Sequence, residues 1–185
     1  MKNFSIISAI DENRGIGINN QLPWQLKADL KHFSEITVGQ KNNAVIMGLN
    51  TWKSLPEKYR PLPDRLNVVL SKESISDLPE NVLNFQSLDE ALKTLEEKKI
   101  SSKGGQASGL NEIFIIGGGM LYASTINHPN CNKLYLTEIL KTFDCDTFFP
   151  EIPSVFKKTQ VSDNQEENGI PFRFAVFEKI SNDIC

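Results

Sequence analysis

The chain has 185 residues, 39% hydrophobic and 23% charged, with a formal net charge of −3 and a sequence pI of about 5.5. That composition is expected of one ordinary soluble domain, long enough to bury a core without disulfide or metal staples. The charge balance does not steer it toward nucleic acid or anionic membrane, and no apolar run approaches the ~20 residues needed to span a bilayer.

Residues 1–7 hold a short apolar run that reads straight on into Asp11-Glu12. It lacks the long apolar stretch and small-residue cleavage site of a secretory leader, so it predicts a first strand over 5–10. The polar, glycine-punctuated loop from Asp11 to Gln21 carries Gly15-Ile16-Gly17 and can move. Leu22-Pro23-Trp24 leads into a predicted helix over 25–36, with Leu26, Leu30 and Phe33 on one stripe. Asp29 falls on that stripe, while Lys27, Lys31, His32, Ser34 and Glu35 take the wet side. A carboxylate on an apolar face is costly unless it is paired or hydrogen-bonded. Two readings stand: an acid placed to meet a polar, nitrogen-rich ligand in an apolar cleft, or a boundary carboxylate paired with a lysine or a backbone N–H.

Further strands are predicted over 44–47, 66–70, 82–85, 112–116 and 134–140, and helices over 51–55, 87–98 and 120–126. Ser87 with Glu90 three residues on is a capping signature. Ala44-Val45-Ile46-Met47, Asn67-Val68-Val69-Leu70 and Ile113-Phe114-Ile115-Ile116 are apolar nearly throughout rather than alternating. Such strands are covered on both faces, which predicts a parallel sheet with crossover helices. Residues 100–109 have the composition of a flexible surface insertion. Asp146-Thr147-Phe148-Phe149-Pro150 reads as a loop with exposed aromatics or as a lid. Strands over 157–162 and 172–180 around Glu166-Glu167-Asn168-Gly169 predict an antiparallel edge on the parallel core. No repeat or second domain boundary is visible, so 1–185 reads as a single α/β domain, with no further catalytic domain expected after Cys185.

Cys131, Cys145 and Cys185 are scattered and odd in number, which predicts reduced thiols in a reducing compartment. His32 and His128 have no partner at ligand spacing, so both read as structural or solvated and no metal is expected.

Four turns follow strands and so converge on the carboxyl edge of the sheet, where open α/β sheets bind ligands. They begin at Gly15, Gly48, Ser71 and Gly117. Gly117-Gly118-Gly119 has Tyr122 where a Rossmann fingerprint needs its third glycine, and no Walker Gly-Lys-Ser/Thr is present. It is a turn for an anionic ligand or a tight packing turn. Ser71-Lys72 ends another strand, and Arg65 has a guanidinium that can fork onto a carboxylate. No nucleophile–base arrangement stands out. One buried acid with cofactor-type turns suits a redox step in which a cofactor brings the hard chemistry.

At this point Leu22-Pro23-Trp24…Asp29, Val45-Ile46-Met47-Gly48…Thr51-Trp52…Ser54-Leu55-Pro56, Arg65-Leu66-Asn67-Val68-Val69-Leu70-Ser71, Ile115-Ile116-Gly117-Gly118-Gly119…Tyr122 and Asp146-Thr147-Phe148-Phe149-Pro150 resemble, in order and spacing, the motifs of the dihydrofolate reductase family. The resemblance runs from about Phe4 to about Lys179. It implies a single α/β domain around an eight-stranded, mostly parallel mixed sheet with about four helices, and reduction of 7,8-dihydrofolate by NADPH. It implies a catalytic set of Leu22, Trp24, Asp29 and Thr137, with Asp29 on the pterin 2-amino group and N3 and Thr137 supporting it. The implied substrate set is Ile7, Leu30, Phe33, Leu55, Arg65, Ile116 and Tyr122, with Arg65 on the glutamate α-carboxylate. The implied cofactor set is Ala9, Gly15, Ile16, Gly17, Ile18, Gly48, Leu49, Asn50, Thr51, Ser71, Lys72, Gly117, Gly118, Gly119, Met120, Leu121 and Tyr122, with a cis peptide at Gly117–Gly118. Folate analogues that act as antifolates, a monomeric state, a cytoplasmic location and a place in one-carbon metabolism go with it.

One departure bears on the cofactor. Family members commonly carry basic residues between the Gly and Thr of Gly48…Thr51, and here those positions are Leu49 and Asn50, leaving Lys72 as the expected phosphate-binding cation. Three rivals remain. Asp29 and Arg65 argue against a pterin-like or pyrimidine reductase on the same scaffold, whose substrate has no glutamate tail. A flavin-binding electron carrier needs a Ser/Thr-rich first phosphate loop that is missing after Ile10. A catalytically silent binding module has no need of the acid, the arginine and the Gly-Gly pair together.

Overall fold

Apolar strands that need cover on both faces do form the centre of the molecule. A computed structural model describes residues 1–40, 42–73, 75–97, 99–100 and 108–180. Its strands are β1 (Phe4–Ile10), β2 (Gly15–Gly17), β3 (Ala44–Gly48), β4 (Leu66–Leu70), β5 (Val82–Phe85), β6 (Lys99–Ile100), β7 (Ser108–Gly109), β8 (Ile113–Gly117), β9 (Cys131–Ile139), β10 (Thr147–Phe148), β11 (Phe156–Val161), β12 (Gln165–Glu167) and β13 (Ile170–Lys179). Its helices are α1 (Lys27–Val38), α2 (Leu49–Ser54), α3 (Leu88–Glu97) and α4 (Gly119–Thr125).

The main sheet runs in the order β11-β13-β9-β1-β8-β3-β4-β5, an eight-stranded path, and β12 adds a ninth strand by pairing with β13. Every neighbour from β9 to β5 is parallel, while β13 is antiparallel to β9 and to β11. This is the expected mixed sheet with an antiparallel C-terminal edge. Ala44, Val45, Ile46 and Met47 are all fully buried because alternate residues feed two cores. Ile6, Ile46, Val68 and Ile115 pack under α3 and α4 with Leu92, Leu95 and Ile126. Ile7, Val45, Met47, Val69 and Phe114 face Trp52 of α2 and Phe33 and Ile36 of α1.

Several expectations need correction. The first helix begins at Lys27 rather than at residue 25. Trp24 and Leu26 are drawn into the core (4% and 2% exposed), which leaves Leu26 extended at φ −125° and ψ 107°. The buried stripe of α1 is rotated from the one predicted. Asp29 and Thr37 are buried and Phe33 and Ile36 half-buried, whereas Leu30 is 58% exposed. His32 is not on the wet side: its ring stacks on Phe174 of β13 with centroids 3.8 Å apart, and burial lowers its pKa against the pull of Glu35. The second helix starts at Leu49, two residues early, directly after an extended Gly48. The 146–150 segment is not simply a loop, since β10 pairs with β2. Phe149 is buried at 1% exposure, and only Phe148 is exposed.

The predicted cap of the third helix forms, with the Glu90 amide donating to Ser87 Oγ at 3.2 Å. The turn at Asn168-Gly169 has positive φ at both residues (55° and 70°), the backbone that favours Asn-Gly in a two-residue hairpin. Cys131 and Cys145 are free thiols, and burial pushes the Cys131 thiol up to about 12. The core of the predicted 100–109 insertion and Cys185 lie outside the described residues. No helix among the described residues is long and apolar enough to cross a membrane.

Candidate active site

The site is created by a parting of strands. β1 runs to Ile10 and β8 to Gly117, yet the two pair only at Ser5–Phe114 and Ile6–Ile115. Beyond those pairs the ladder between the central strands stops, and the crevice opens at their carboxyl ends, where α/β sheets receive ligands. Ile7 and Ile116 are the next residues on the two strands. The Tyr122 hydroxyl of α4 donates to the Ile7 carbonyl at 2.9 Å and ties that lip in place. Burial pushes the Tyr122 phenol far up, so it stays a neutral donor.

Asp29 enters from α1. It is 9% exposed, and its Oδ1 accepts a hydrogen bond from the Thr137 hydroxyl of β9 at 2.6 Å. Among the described residues it has no cationic partner, and its second oxygen accepts no hydrogen bond. Neither partner of the alternative reading, a lysine or a backbone N–H, meets Asp29 among the described residues. Burial raises its pKa and the Thr137 bond opposes the rise, so a proton is held more readily than by an ordinary aspartate. Trp24 is buried close by on the chain, against Phe143. Its Nε1 is the one buried side-chain polar atom among the described residues without a hydrogen-bond partner. Such an orphan donor costs free energy unless something outside the protein satisfies it.

Apolar side chains flank the acid along the chain, Leu30 and Phe33 on α1 and Leu22 and Leu26 before it. Phe33 and Leu55 are half-buried on the cluster that holds Ile7, and Leu22 and Leu30 are exposed at 53% and 58%. Arg65 is half-buried. Its Nε donates to the Pro63 carbonyl at 2.9 Å and its Nη1 to the Thr37 hydroxyl at 2.6 Å, and the Thr37 hydroxyl in turn donates to the Phe33 carbonyl at 2.7 Å. Nη2 donates to no described residue. Burial lowers the Arg65 pKa, with Asp64 opposing, but a guanidinium remains charged. The fork is therefore pinned on one side and free on the other.

The second half of the crevice is backbone. The Gly117–Gly118 peptide is cis and Gly117 has φ +143°. A Cβ on Gly117 or Gly118 would lie 3.0 or 3.1 Å from Thr51 Oγ1, and one on Gly119 would lie 2.8 Å from Thr147 Cγ2 and 3.8 Å from Ile16 Cδ1. The turn is therefore a tight packing turn, as one reading had it, and the packing brings three of the predicted cofactor segments together: 15–18, 48–51 and 117–122. Ile16, Ile18, Gly118, Gly119 and Leu121 are half-buried there, and Gly15, Gly17, Gly117 and Tyr122 are buried, whereas the half-buried Ala9 packs against the Trp24 cluster. Leu49 packs inward on the Trp52 cluster, Asn50 is exposed, and Met120 is 86% exposed. Ser71, at the end of β4, donates its amide to Phe85, and Lys72 beside it is exposed with no described ion pair.

Three residues that shape the site were missed by sequence reasoning. Asp11 is buried and its carboxylate accepts the amides of Asn13, Gly15 and Phe143 at 2.9, 2.6 and 2.9 Å, fastening β2 to the segment before β10. Its short-range bond to Asn13 is an Asx turn, a signal present in the sequence. Thr37, which holds Arg65, sits four residues after Phe33 on the true stripe of α1. Glu167 reaches α1 from 139 and 140 residues away, and no local pattern announces it.

A family model described as dihydrofolate reductase matches residues 3–179. The chain is similar to a dihydrofolate reductase of Drosophila melanogaster, at 44% identity over 98% of this chain and 100% of that protein. It is similar to a dihydrofolate reductase of Rattus norvegicus at 40% identity, covering 94% and 95%. A viral dihydrofolate reductase of Saimiriine herpesvirus 2 is 42% identical over 95% of this chain and 84% of the viral protein.

Proposed function

Because the chain belongs to the dihydrofolate reductase family, we propose that it is an oxidoreductase that reduces 7,8-dihydrofolate to tetrahydrofolate at the expense of NADPH. The observation that carries the reading is Asp29: a buried acid that, among the described residues, has one hydroxyl partner, no cation and an oxygen that accepts no hydrogen bond.

The fit to a pyridine nucleotide rests on the three converging turns, whose glycines leave backbone rather than side chains at the crevice. Gly15, Ile16, Gly17, Ile18, Gly48, Thr51, Ser71, Lys72 and Gly117 to Tyr122 would hold it. The reduced nicotinamide supplies a hydride when bound. Stacking two rings in one cleft removes most of the entropy of bringing them together, and Ile7, Ile116 and the Tyr122 hydroxyl set the walls that do so.

Asp29 holds the pterin by its 2-amino group and N3. Its raised pKa keeps a proton available to N5, relayed through the pterin or an ordered water rather than by direct contact. The Trp24 indole N–H, buried and without a described partner, would reach that edge only through a water that enters beside it. Leu22, Leu30, Phe33 and Leu55 enclose the ring and the benzoyl group and keep bulk water from the reacting atoms. Arg65, pinned by Thr37 and Pro63, offers Nη2 to the glutamate α-carboxylate. Lys72 supplies the phosphate-binding charge that Leu49 and Asn50 do not. Antifolates that mimic the pterin occupy the same crevice, and the enzyme works as a cytoplasmic monomer.

Mixing the protein with dihydrofolate and NADPH and following absorbance at the nicotinamide band tests the reading. Loss of absorbance that requires both substrates is expected. No turnover with dihydrofolate, or a yellow flavin-bearing protein, would overturn it.

A further inference from the structure

The first turn of α1 has no cap of its own. Its N-cap residue, Leu26, is extended and offers no side-chain hydrogen bond. The first amides of a helix have no partner within it. Here the Lys27 amide donates to Glu167 Oε1 at 2.9 Å and the Ala28 amide to Glu167 Oε2 at 2.9 Å. The adjacent Asn168 Nδ2 donates to the Gln25 carbonyl at 3.1 Å. The β12–β13 hairpin thus grips the start of α1 by a two-pronged carboxylate and an amide, and the next residue along the helix is Asp29.

We propose that Glu167 is a positioning residue for the proton-holding role of Asp29: it fixes the helix turn that carries the acid, and it places a negative charge on the positive end of α1. A bare helix N-terminus carries about half a positive charge and favours a carboxylate anion in its first turn. That would work against an Asp29 that has to keep a proton. Glu167 offsets the field and leaves burial to dominate. The Ala28 and Lys27 amides hold the Glu167 carboxyl below the usual range, so its charge stays constant while Asp29 titrates. Other titratable groups among the described residues lie on the same elements, with Lys31 and Glu35 paired further along α1 at 3.7 Å. Lys27 lies beside Glu167, Glu166 is exposed on the same hairpin, and His32 sits a turn along α1 on Phe174. Tyr122 of α4 feels the Asp29 charge. On β9, Glu138 is closed into pairs with Lys158 and Arg173 at 2.6 and 2.7 Å.

The inference rests on the reading of Asp29 as the proton-holding acid, and the test separates the two. The Asp29 carboxyl is titrated by carbon-13 NMR in the wild type, Glu167→Gln and Glu167→Ala, alongside the pH profile of single-turnover hydride transfer. In both variants the Asp29 midpoint is expected to fall by about half a pH unit, the size of a helix-terminus charge effect. Hydride transfer above the midpoint should slow about threefold for the same reason. Glu167→Gln, which keeps one bond, should lose less Tm than Glu167→Ala. In the wild type, about 1 M salt should move the midpoint toward that of Glu167→Gln, because the cap is near solvent and its field is screened; this needs no variant to fold. An Asp29 midpoint that ignores both Glu167→Gln and salt, with only Tm lowered, overturns the proposal. A rate–pH curve left unaltered by Asp29→Asn overturns the reading of the acid instead, while the NMR midpoint still decides the role of Glu167.

Discussion

The two halves of the crevice are built from different materials. The half around Asp29 is side-chain chemistry: a buried carboxylate, a hydroxyl at 2.6 Å, and, among the described residues, an indole N–H without a partner and a guanidinium with one edge unbonded. The half around Gly117 is backbone, shaped by glycines at which a Cβ would crowd Thr51 or Thr147. One half is thus set by charge and proton affinity, the other by clearance. A substitution in the first should change the pH dependence of the reaction, and one in the second should change affinity and leave pH dependence alone.

The sharpest way to break that division is Asp29→Asn. Hydride transfer near neutral pH should fall at least about a hundredfold, the usual contribution of a positioned acid, and should recover partly as acid supplies the proton. An unchanged rate–pH curve would remove Asp29 from the chemistry. The same variant should be more stable than the parent at neutral pH. Because the folded-state pKa of Asp29 is raised by burial, the folded protein binds more protons than the unfolded one above the ordinary aspartate range. Stability therefore falls as pH rises through that window. The gain in Tm, about 2–4 °C for each kcal/mol relieved in a chain of this length, should vanish below the ordinary aspartate range.

Clearance is tested at Gly119 and Gly48. A Cβ on Gly119 would sit 2.8 Å from Thr147 Cγ2, whereas one on Gly48 would sit 3.9 Å from the nearest atom. Gly119→Ala should weaken nicotinamide-cofactor binding about tenfold, or about 1.4 kcal/mol, with dihydrofolate affinity and the pH profile unmoved. Gly48→Ala should be close to silent in the fold. Equal losses at both positions would mean that the ligand, not protein packing, sets the clearance.

Thr137→Val addresses the first half again with a smaller effect. Losing a hydrogen bond to a charged group is worth about 1.5–3 kcal/mol. Here part of that is recovered by protonation, because Thr137 is the bond that opposes the raised Asp29 pKa. The rate–pH curve should shift upward, opposite in sign to Glu167→Gln. A downward shift would mean that the hydroxyl orients the acid without tuning it.

What the sequence made legible follows the same division. The buried strands could be placed because Ala44 to Met47 and Ile113 to Ile116 are apolar at successive positions, a pattern set by residue type alone. Asp29 stood out because a charge interrupted an oily run. The phase of α1 was harder to read. Leu30 and Leu26 satisfy the same spacing rule as Phe33, and only the packing of Trp24 and Leu26 into the core shows that the helix begins later and turns Leu30 outward. The pairing of β2 with β10 and the Glu167 cap join segments about 130 to 140 residues apart. Nothing local encodes such a distance, and the family motifs made the glycine turns readable only as a set.

The smallest effect is expected at Lys72. Its side chain is exposed and unpaired among the described residues, so a contact to a phosphate there is screened and is worth about 0.5–1 kcal/mol. Since Leu49 packs inward and Asn50 is neutral, no charge on that turn shares the load. Lys72→Ala should therefore reduce the ratio of NADPH to NADH kcat/KM about twofold to fivefold, chiefly by weakening NADPH. The wild-type ratio should shrink in the same direction as salt is raised. A ratio unmoved by both would take Lys72 out of the cofactor half and leave backbone clearance as its whole basis.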